Sequence, residues 1–173
     1  MKKRTRVTHL PDVPLAPDNR SLVAPIYQSV KFSFDDVGET LRYFDGQRPG
    51  FYYSRVSNPT LRQLELVLAE LQGRDACLLA GSGIAAIAAA LIGLLKAGDH
   101  VVYFAELYAP TRSLVRRTLG RFGVASTLLS VADHGELERV LATTPTRLVV
   151  FESPTNPALK VVDITRVTAL ARQ

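Results

Sequence analysis

The chain has 173 residues, 47% of them hydrophobic and 21% charged, which is an ordinary globular balance and enough for one domain with a sizeable core. No apolar run is long enough to predict a membrane span, because the longest, residues 84–95, covers only twelve residues and predicts a buried helix. The formal net charge is +5, but no aromatic residues alternate with the basic ones as a nucleic-acid stacking platform requires, so no nucleic-acid partner is expected.

The basic residues have simpler explanations. Residues 2–6 are a basic tail followed by prolines rather than by the apolar core of a signal peptide. Four arginines recur at helical spacing, which is typical of a solvated helix face: Arg112, Arg116, Arg117 and Arg121. The single cysteine, Cys77, cannot form an internal disulfide, which favours a reducing compartment, and a cytoplasmic protein is expected.

The predicted elements begin only after a long irregular segment. Residues 1–20 are rich in proline and charge, and residues 21–57 have no clear period although they carry eight aromatic residues. A long irregular segment in a compact chain is usually functional or wraps a partner. We therefore predict an N-terminal arm over residues 1–57.

Regular structure begins at Asn58. Asn58 as N-cap, Pro59 at the first helical position and Gly73 as the stop signal predict a helix. Its predicted buried stripe consists of Leu61, Leu64, Val67, Leu68 and Leu71.

The remaining residues alternate between strands and helices. Strands are predicted at 76–80, 100–104, 124–130 and 147–151, and helices at 83–96, 110–119, 135–142 and 164–172. This alternation predicts an α/β domain with a parallel sheet over residues 58–173. Because the chain stops in a helix within the alternation, we expect the domain to be incomplete.

Residues 80–86 (A-G-S-G-I-A-A) join a predicted strand to a predicted helix. Glycines let a ligand approach the backbone, and the free N–H groups of a helix start bind anions, so the segment suggests a phosphate site. Two alternatives stay open at this point. One is a tight turn into a close-packed helix, and the other is a nicotinamide-binding Rossmann domain that uses Gly81, Gly83, Ala86 and Glu106.

Residues 53–60 (Y-S-R-V-S-N-P-T) contain a second candidate phosphate ligand. Arg55 offers a planar fork of donors and Tyr53 offers a hydroxyl, although an exposed arginine before a capped helix is the alternative. The segment resembles the Y-S-R-x-x-N-P-T signature of the Cys/Met-metabolism enzymes, which depend on pyridoxal 5'-phosphate (PLP). This family includes cystathionine γ-synthase, cystathionine β- and γ-lyases and methionine γ-lyase.

Further segments resemble the same family in the same order. They are residues 25–29 (P-I-Y-Q-S), Ser82-Gly83-Ile84, Tyr108 after Glu106-Leu107, and residues 152–157 (E-S-P-T-N-P). Two positions depart from the pattern. Ala109 stands where the family has glycine, and Pro110 stands where methionine γ-lyases carry a cysteine.

The resemblance implies a role for each matched residue, and it implies no metal site. Ser82, Gly83 and Ile84 would bind the PLP phosphate, Tyr108 would stack on the ring, and Asn156 would hydrogen-bond its phenolic oxygen. Tyr53 and Arg55 would reach the phosphate of a neighbouring subunit. Glu152 is a possible further site residue, with a purely structural carboxylate as the alternative.

The resemblance also implies a fold and a reaction class. The expected fold is the type I PLP-dependent, aspartate aminotransferase-like fold, of which this chain supplies the arm and the first half of the large domain's mainly parallel sheet. The expected protein is a cytoplasmic homodimer or homotetramer with shared active sites and no membrane association. It would be a transsulfuration lyase or transferase that acts on sulfur amino acids or activated homoserine by β/γ-elimination or γ-replacement.

The Schiff-base lysine of the family is absent from these residues, since family members are more than twice as long. The chain alone is therefore expected to be inactive, and a pseudoenzyme that keeps only a phosphate cradle and a subunit interface is the alternative. Lys160 is the one lysine near the expected site, and a surface lysine is its simpler explanation.

Overall fold

The computed structural model of the chain describes residues 21–172, in two compact units that divide between Leu79 and Ala80. Residues 1–20 of the predicted arm lie outside the described residues. The boundary at residue 57 between the arm and the large domain stays a prediction.

The first unit contains two helices, α1 (Val37–Phe44) and α2 (Pro59–Leu71), and an antiparallel bridge between Lys31 and Tyr53. Helix α1 lies within the segment predicted to be irregular. Asp36 caps it by accepting a hydrogen bond from the Glu39 N–H at 2.8 Å. Val37, Leu41 and Phe44 recur at helical spacing, but the helix has only eight residues and none of them is fully buried, so the pattern is too short to stand out in the sequence.

The scattered aromatic residues of this unit come together in space. The rings of Phe34, Tyr43, Phe44 and Tyr52 form a cluster with neighbouring centroids 4.9–6.5 Å apart. The guanidinium of Arg48 lies 5.2 Å from the Phe34 centroid, within the range of a cation–π contact. The cluster therefore joins α1 to the residues just before the 53–60 motif.

Helix α2 has the predicted bounds but not the predicted burial. The Asn58 side chain accepts a hydrogen bond from the Thr60 N–H at 2.9 Å, as expected of an N-cap. The predicted buried stripe is wrong, since Leu61 and Leu64 are each 47% exposed and Leu71 is 73% exposed. The spacing of apolar residues in the sequence determines which side chains share a face of the helix. Burial of that face also requires a second element packed against it, and no described residue covers this face.

The second unit is an α/β sandwich. Its elements are α3 (Gly83–Leu94), β1 (His100–Phe104), α4 (Ala109–Ser113), a π-helical segment (Leu114–Leu119), β2 (Ala125–Leu129), α5 (His134–Thr143), β3 (Leu148–Val150) and α6 (Ile164–Ala171). The strands are parallel in the order β2-β1-β3. Val102 of β1 stands opposite Thr127 of β2 and Val149 of β3.

Two expectations for this unit need correction. Residues 76–80 pair with no other described strand, so the described part of the chain has three strands rather than four. An apolar run becomes a strand only where a neighbouring strand accepts its backbone hydrogen bonds. The apolar residues 84–95 are not a buried helix either, because Leu91 is the one buried residue of α3 and Ile92 is 63% exposed.

The core lies on both faces of the sheet because successive side chains of a strand point to opposite faces. On one face, Val101 and Tyr103 of β1 pack with residues of α3 and of the π-helical segment. On the other face, Val102 and Phe104 pack with residues of α5 and α6. The sheet is thus covered by helices on both sides, as is typical of parallel α/β folds.

His100 at the start of β1 predicts a pH dependence of stability. Its ring nitrogens lie 2.9 Å from the hydroxyls of Thr127 and Thr146, and burial lowers its pKa below the ordinary value of 6.5. The folded state therefore binds this proton less readily than the unfolded state. The stability that neutral His100 contributes is present above pH 6.5 and is lost as the pH falls below it.

We expect the free energy of unfolding, measured with urea, to be lower at about pH 5.5 than at about pH 7.5. The decrease between the two pH values should be smaller in His100→Gln, because glutamine cannot take up the proton. An equal drop in the wild type and the variant would contradict this assignment.

Candidate functional site

The sheet order reverses direction within the second unit. The chain passes from β1 to β2 on one side and then returns to β3 on the other side of β1. In open parallel sheets, ligands bind outside the carboxyl ends of the strands at such a reversal. Tyr108 follows β1, while Glu152 and Asn156 follow β3, so these predicted site residues flank the reversal point.

The start of helix α3 lies at the same edge. Leu91 of α3 packs against β1, and the end of α3 leads into the start of β1, so the two elements run in opposite directions. Helix α3 is about 18 Å long and β1 about 16 Å long, at 1.5 Å and about 3.3 Å per residue. The amino end of α3 is therefore level with the carboxyl end of β1, and α3 also contacts α4, which begins beside Tyr108.

This helix start has the properties of an anion cradle. Ser82 caps it by accepting a hydrogen bond from the Ala85 N–H at 3.2 Å. No described residue accepts a hydrogen bond from the N–H groups of Gly83 or Ile84. A Cβ added at Gly81 or Gly83 would meet no atom within 4 Å, so the backbone is open to a ligand. Exposed N–H groups at the positive end of a helix fit a phosphate.

Tyr108 is placed by a firmly held loop. Leu107 beside it is buried, and the Arg112 Nη1 donates a hydrogen bond to the Ala105 carbonyl at 2.7 Å, which closes the turn from β1 into α4. The Tyr108 side chain itself is 45% exposed. An exposed aromatic ring beside the reversal point is free to stack on a planar ligand.

The loop after β3 presents Asn156. Its backbone N–H donates to Glu152 Oε1 at 2.7 Å, so Glu152 has an observed structural role within the loop. Thr155 is 1% exposed, and its Oγ1 accepts a hydrogen bond from the Lys160 N–H at 3.0 Å. These bonds hold the loop backbone and leave the Asn156 side chain exposed.

Glu106 connects the ends of all three strands. Its carboxylate accepts hydrogen bonds from the Ser130 hydroxyl at 3.0 Å, the Val131 N–H at 3.1 Å and the Lys160 ammonium at 3.1 Å. Burial raises the pKa of Glu106, but these hydrogen bonds outweigh it and the net pKa lies below the ordinary value. No sequence motif indicates this connection, because the partners of Glu106 lie 24 to 54 residues away in the chain.

We expect Glu106→Gln to lower the free energy of unfolding by about 1.5–3 kcal/mol, the range for hydrogen bonds to a charged group. Urea denaturation measures this loss, and amide hydrogen exchange should show faster opening of residues 151–163. Glu136→Gln is the matched control. It breaks the exposed pair with Arg139 and should cost clearly less, because exposed ion pairs contribute little. Equal losses in the two variants would contradict the connecting role of Glu106.

Tyr53 and Arg55 belong to the first unit, where they contact each other. The Arg55 guanidinium carbon lies 4.6 Å from the Tyr53 ring centroid, and the Arg55 side chain is exposed. The Tyr53 carbonyl accepts hydrogen bonds from the Val56 and Ser57 N–H groups, which forms the turn that carries Arg55. Their predicted role toward a neighbouring subunit stays a prediction.

Hydrogen bonds join the two family motifs of the first unit, residues 25–29 and residues 53–60, although 23 residues separate them in the chain. The Asn58 Nδ2 donates to the Tyr27 carbonyl and to Ser54 Oγ, each at 2.9 Å. The Tyr27 N–H donates to Thr60 Oγ1 at 2.9 Å. Asn58 is 6% exposed, so this pairing is a buried structural feature that supports the Arg55 turn.

Two classes of site are not observed in the described residues. Residues 21–172 contain no group of three or more His, Cys, Asp or Glu side chains placed to hold a metal ion. Within the same residues, no helix has the length and apolar character needed to cross a membrane.

An open parallel sheet with a glycine-lined helix start, an exposed tyrosine and an exposed asparagine around one reversal point defines a class of protein. An α/β protein with these features has groups that fit a planar, phosphorylated ligand. A family profile described as Cys/Met metabolism PLP-dependent enzyme matches residues 8–173. The chain belongs to this family, the resemblance seen in the sequence is confirmed, and the indicated cofactor is PLP.

Individual relatives carry related activities. The chain is 40% identical over 153 residues to an L-methionine gamma-lyase of Pseudomonas putida, an alignment that covers 88% of this chain and 38% of the relative. It is 32% identical over 175 residues to a cystathionine gamma-lyase of Bacillus subtilis, with 43% of that relative covered. The chain thus spans about two fifths of the length of these relatives.

A solved structure confirms the fold class. The putative O-acetylhomoserine (thiol)-lyase of Campylobacter jejuni, which contains N'-pyridoxyl-lysine-5'-monophosphate, matches with a TM-score of 0.78 and 35% identity. The match covers 88% of this chain and 38% of that one. The predicted α/β, PLP-enzyme fold is therefore confirmed for this part of the molecule. The match to this family also leaves no support for the nicotinamide-binding alternative, in which Glu106 would bind a ribose.

Proposed function

We propose that this chain forms a cofactor-binding part of a PLP-dependent enzyme that acts on a sulfur amino acid or an activated homoserine. The observation that carries the proposal is the arrangement at the reversal point of the sheet. The helix start at Gly83, the Tyr108 ring and the Asn156 amide come to one edge from three separate segments.

Each of these groups has a binding task that suits its chemistry. The N–H groups of Gly83 and Ile84, with Ser82, hold the phosphate, because they are exposed donors at the positive end of a helix. Tyr108 stacks on the ring and Asn156 donates to its phenolic oxygen. PLP supplies an electron sink for bonds broken at the substrate carbon, while these residues bind and orient it.

Glu152 supports the site indirectly. Its carboxylate accepts the Asn156 N–H and so fixes the start of the segment that carries the amide. Glu106 and Lys160 fix the far end of the same segment through their ion pair. We infer that both acidic residues position Asn156 rather than contact the cofactor.

We propose transsulfuration, by β/γ-elimination or γ-replacement, as the reaction class. The relatives include L-methionine gamma-lyases, cystathionine gamma-lyase and cystathionine gamma-synthase, so both lyases and a synthase fall within the class. Pro110 stands at the position where methionine γ-lyases carry a cysteine, which favours a cystathionine lyase or synthase over that subgroup.

Assembly with a second subunit is part of the proposal. Arg55 is exposed on a turn held by buried Asn58, as a ligand to a neighbour's phosphate needs to be. The apolar face of α2 around Leu64 and Leu71 is also exposed, and exposed faces of this kind mark interfaces. We therefore expect a homodimer or homotetramer.

The 173 residues by themselves are proposed to bind PLP without turnover. Among the described lysines, Lys160 is held in an ion pair by Glu106. Lys96 lies beyond the far end of α3, whose twelve residues span about 18 Å at 1.5 Å per residue, which is too far from a phosphate held at the helix start.

Treatment of the chain with PLP and borohydride, followed by peptide mapping, tests this proposal. Borohydride fixes PLP on any lysine with which it has condensed. We expect no stoichiometric labelling of a single lysine, while non-covalent binding persists. Stoichiometric labelling of Lys160 would show that the chain carries a substitute lysine and would contradict the inactive state.

A further inference from the structure

A cleft lined by arginines lies on one face of the second unit. Arg112, Arg116 and Arg117 line it together with Tyr103 of β1 and Leu128 of β2, and its volume is about 320 Å³. Tyr103 is 3% exposed, so the cleft reaches down to the sheet. The sequence predicts these arginines to be a solvated helix face, but in the structure three of them surround a concave site.

The π-helical segment explains why three arginines share this cleft. In an α-helix, side chains three or four residues apart share a face, which would group Arg112 with Arg116 only. The helix changes from α to π between Arg112 and Arg116, and the wider π turn, with its i to i+5 bonding, accompanies the lining of one cleft by Arg112, Arg116 and Arg117. Such segments are rare and frequently occur at functional sites, so the distortion itself points to the cleft.

The charges of the cleft are not neutralised by the protein. Within residues 21–172, none of the three arginines forms an ion pair with a carboxylate, and no Asp or Glu lines the cleft. Arg112 uses Nη1 to bind the Ala105 carbonyl, which holds the side chain in place and leaves other donors of its guanidinium available. One half-buried, held guanidinium beside two exposed ones, none of them paired with a described carboxylate, offers donors suited to a phosphate.

We propose that this cleft binds a small, multiply charged phosphate compound, such as a pyrophosphate or a phosphate ester. A volume of about 320 Å³ lies near the lower end of the range for small-molecule sites. Nucleic acid fits less well, because Tyr103 is almost fully buried and offers no stacking face. The cleft contains none of the residues proposed to bind PLP, so it is a second site, independent of the proposed function.

Isothermal titration of the full chain with inorganic pyrophosphate at about 0.15 M salt tests the proposal, because this ionic strength screens weak surface attraction. The test variant is Arg116→Ala/Arg117→Ala. The control is Arg139→Ala/Arg166→Ala, which removes the same charge from exposed positions of α5 and α6. We expect one-to-one binding that weakens at least about tenfold in the test variant and stays unchanged in the control.

Three results would overturn the proposal: no saturable binding to the wild type, equal binding in the two double variants, or displacement of pyrophosphate by one equivalent of pyridoxine 5'-phosphate. The last would place the anion at the Gly83 helix start. Arg-dependent binding of a single-stranded oligonucleotide without pyrophosphate binding would assign the arginines to a macromolecule instead.

Circular dichroism checks that the variants are folded. If the double variant is unfolded, Arg117→Gln, at an exposed position, repeats the test.

Discussion

Replacement of Gly83 by aspartate is expected to weaken binding of pyridoxine 5'-phosphate at least about tenfold, or about 1.4 kcal/mol. The carboxylate would lie at the helix start where the phosphate is proposed to bind, and like charges in one site repel. An acidic residue in the first helical turn favours the helix, so the loss would not come from unfolding of α3. Pyridoxine phosphate lacks the aldehyde of PLP, so calorimetry reports the phosphate and ring contacts without reaction at lysine.

Gly83→Ala is the matched control at the same position. A Cβ at Gly83 meets no atom within 4 Å, so alanine is sterically tolerated and adds no charge. We expect binding of pyridoxine phosphate to the alanine variant to stay close to that of the wild type. Equal binding to the aspartate and alanine variants would show that the phosphate does not lie at this helix start.

Replacement of Phe104 by alanine should destabilise the second unit by about 3–5 kcal/mol, the usual cost of removing a buried phenyl ring. Phe104 is 2% exposed at the end of β1, and its ring contacts Phe151 edge-on with centroids 6.5 Å apart. A loss of this size is a large part of the about 5–15 kcal/mol that stabilises a typical domain. Urea unfolding followed by circular dichroism, at one fixed protein concentration, measures it.

Phe122→Ala is the control for this substitution. It removes the same side chain from a position that is 70% exposed, so the expected loss is within about 0.5 kcal/mol. A loss at Phe122 as large as that at Phe104 would contradict the assignment of the core to the faces of the sheet.

Features that depend on residues close together in the chain were predicted correctly, whereas features that depend on distant residues were not. Helix α2 begins at Pro59 as predicted, because a cap, a proline and the helix they start lie within a few residues of one another. Helix α1 lies in a segment predicted to be irregular, because its stripe of Val37, Leu41 and Phe44 covers only eight residues, fewer than a periodicity needs to stand out. The predicted strand at 76–80 failed because pairing needs a second strand, which an apolar run cannot supply by itself.

The amino-acid sequence by itself determined the family, the cofactor class and the alternation of strands and helices, since ordered motifs and helix caps are local in the chain. Only the tertiary structure decided which faces are buried and which distant groups meet. The exposed face of α2, the link from Glu106 to Lys160, and the cleft of Arg112, Arg116 and Arg117 all depend on contacts or on a backbone distortion that no local pattern encodes. The physical reason is that burial and ion pairing require two groups from different parts of the chain to meet. Periodicity and capping, in contrast, arise within a single segment.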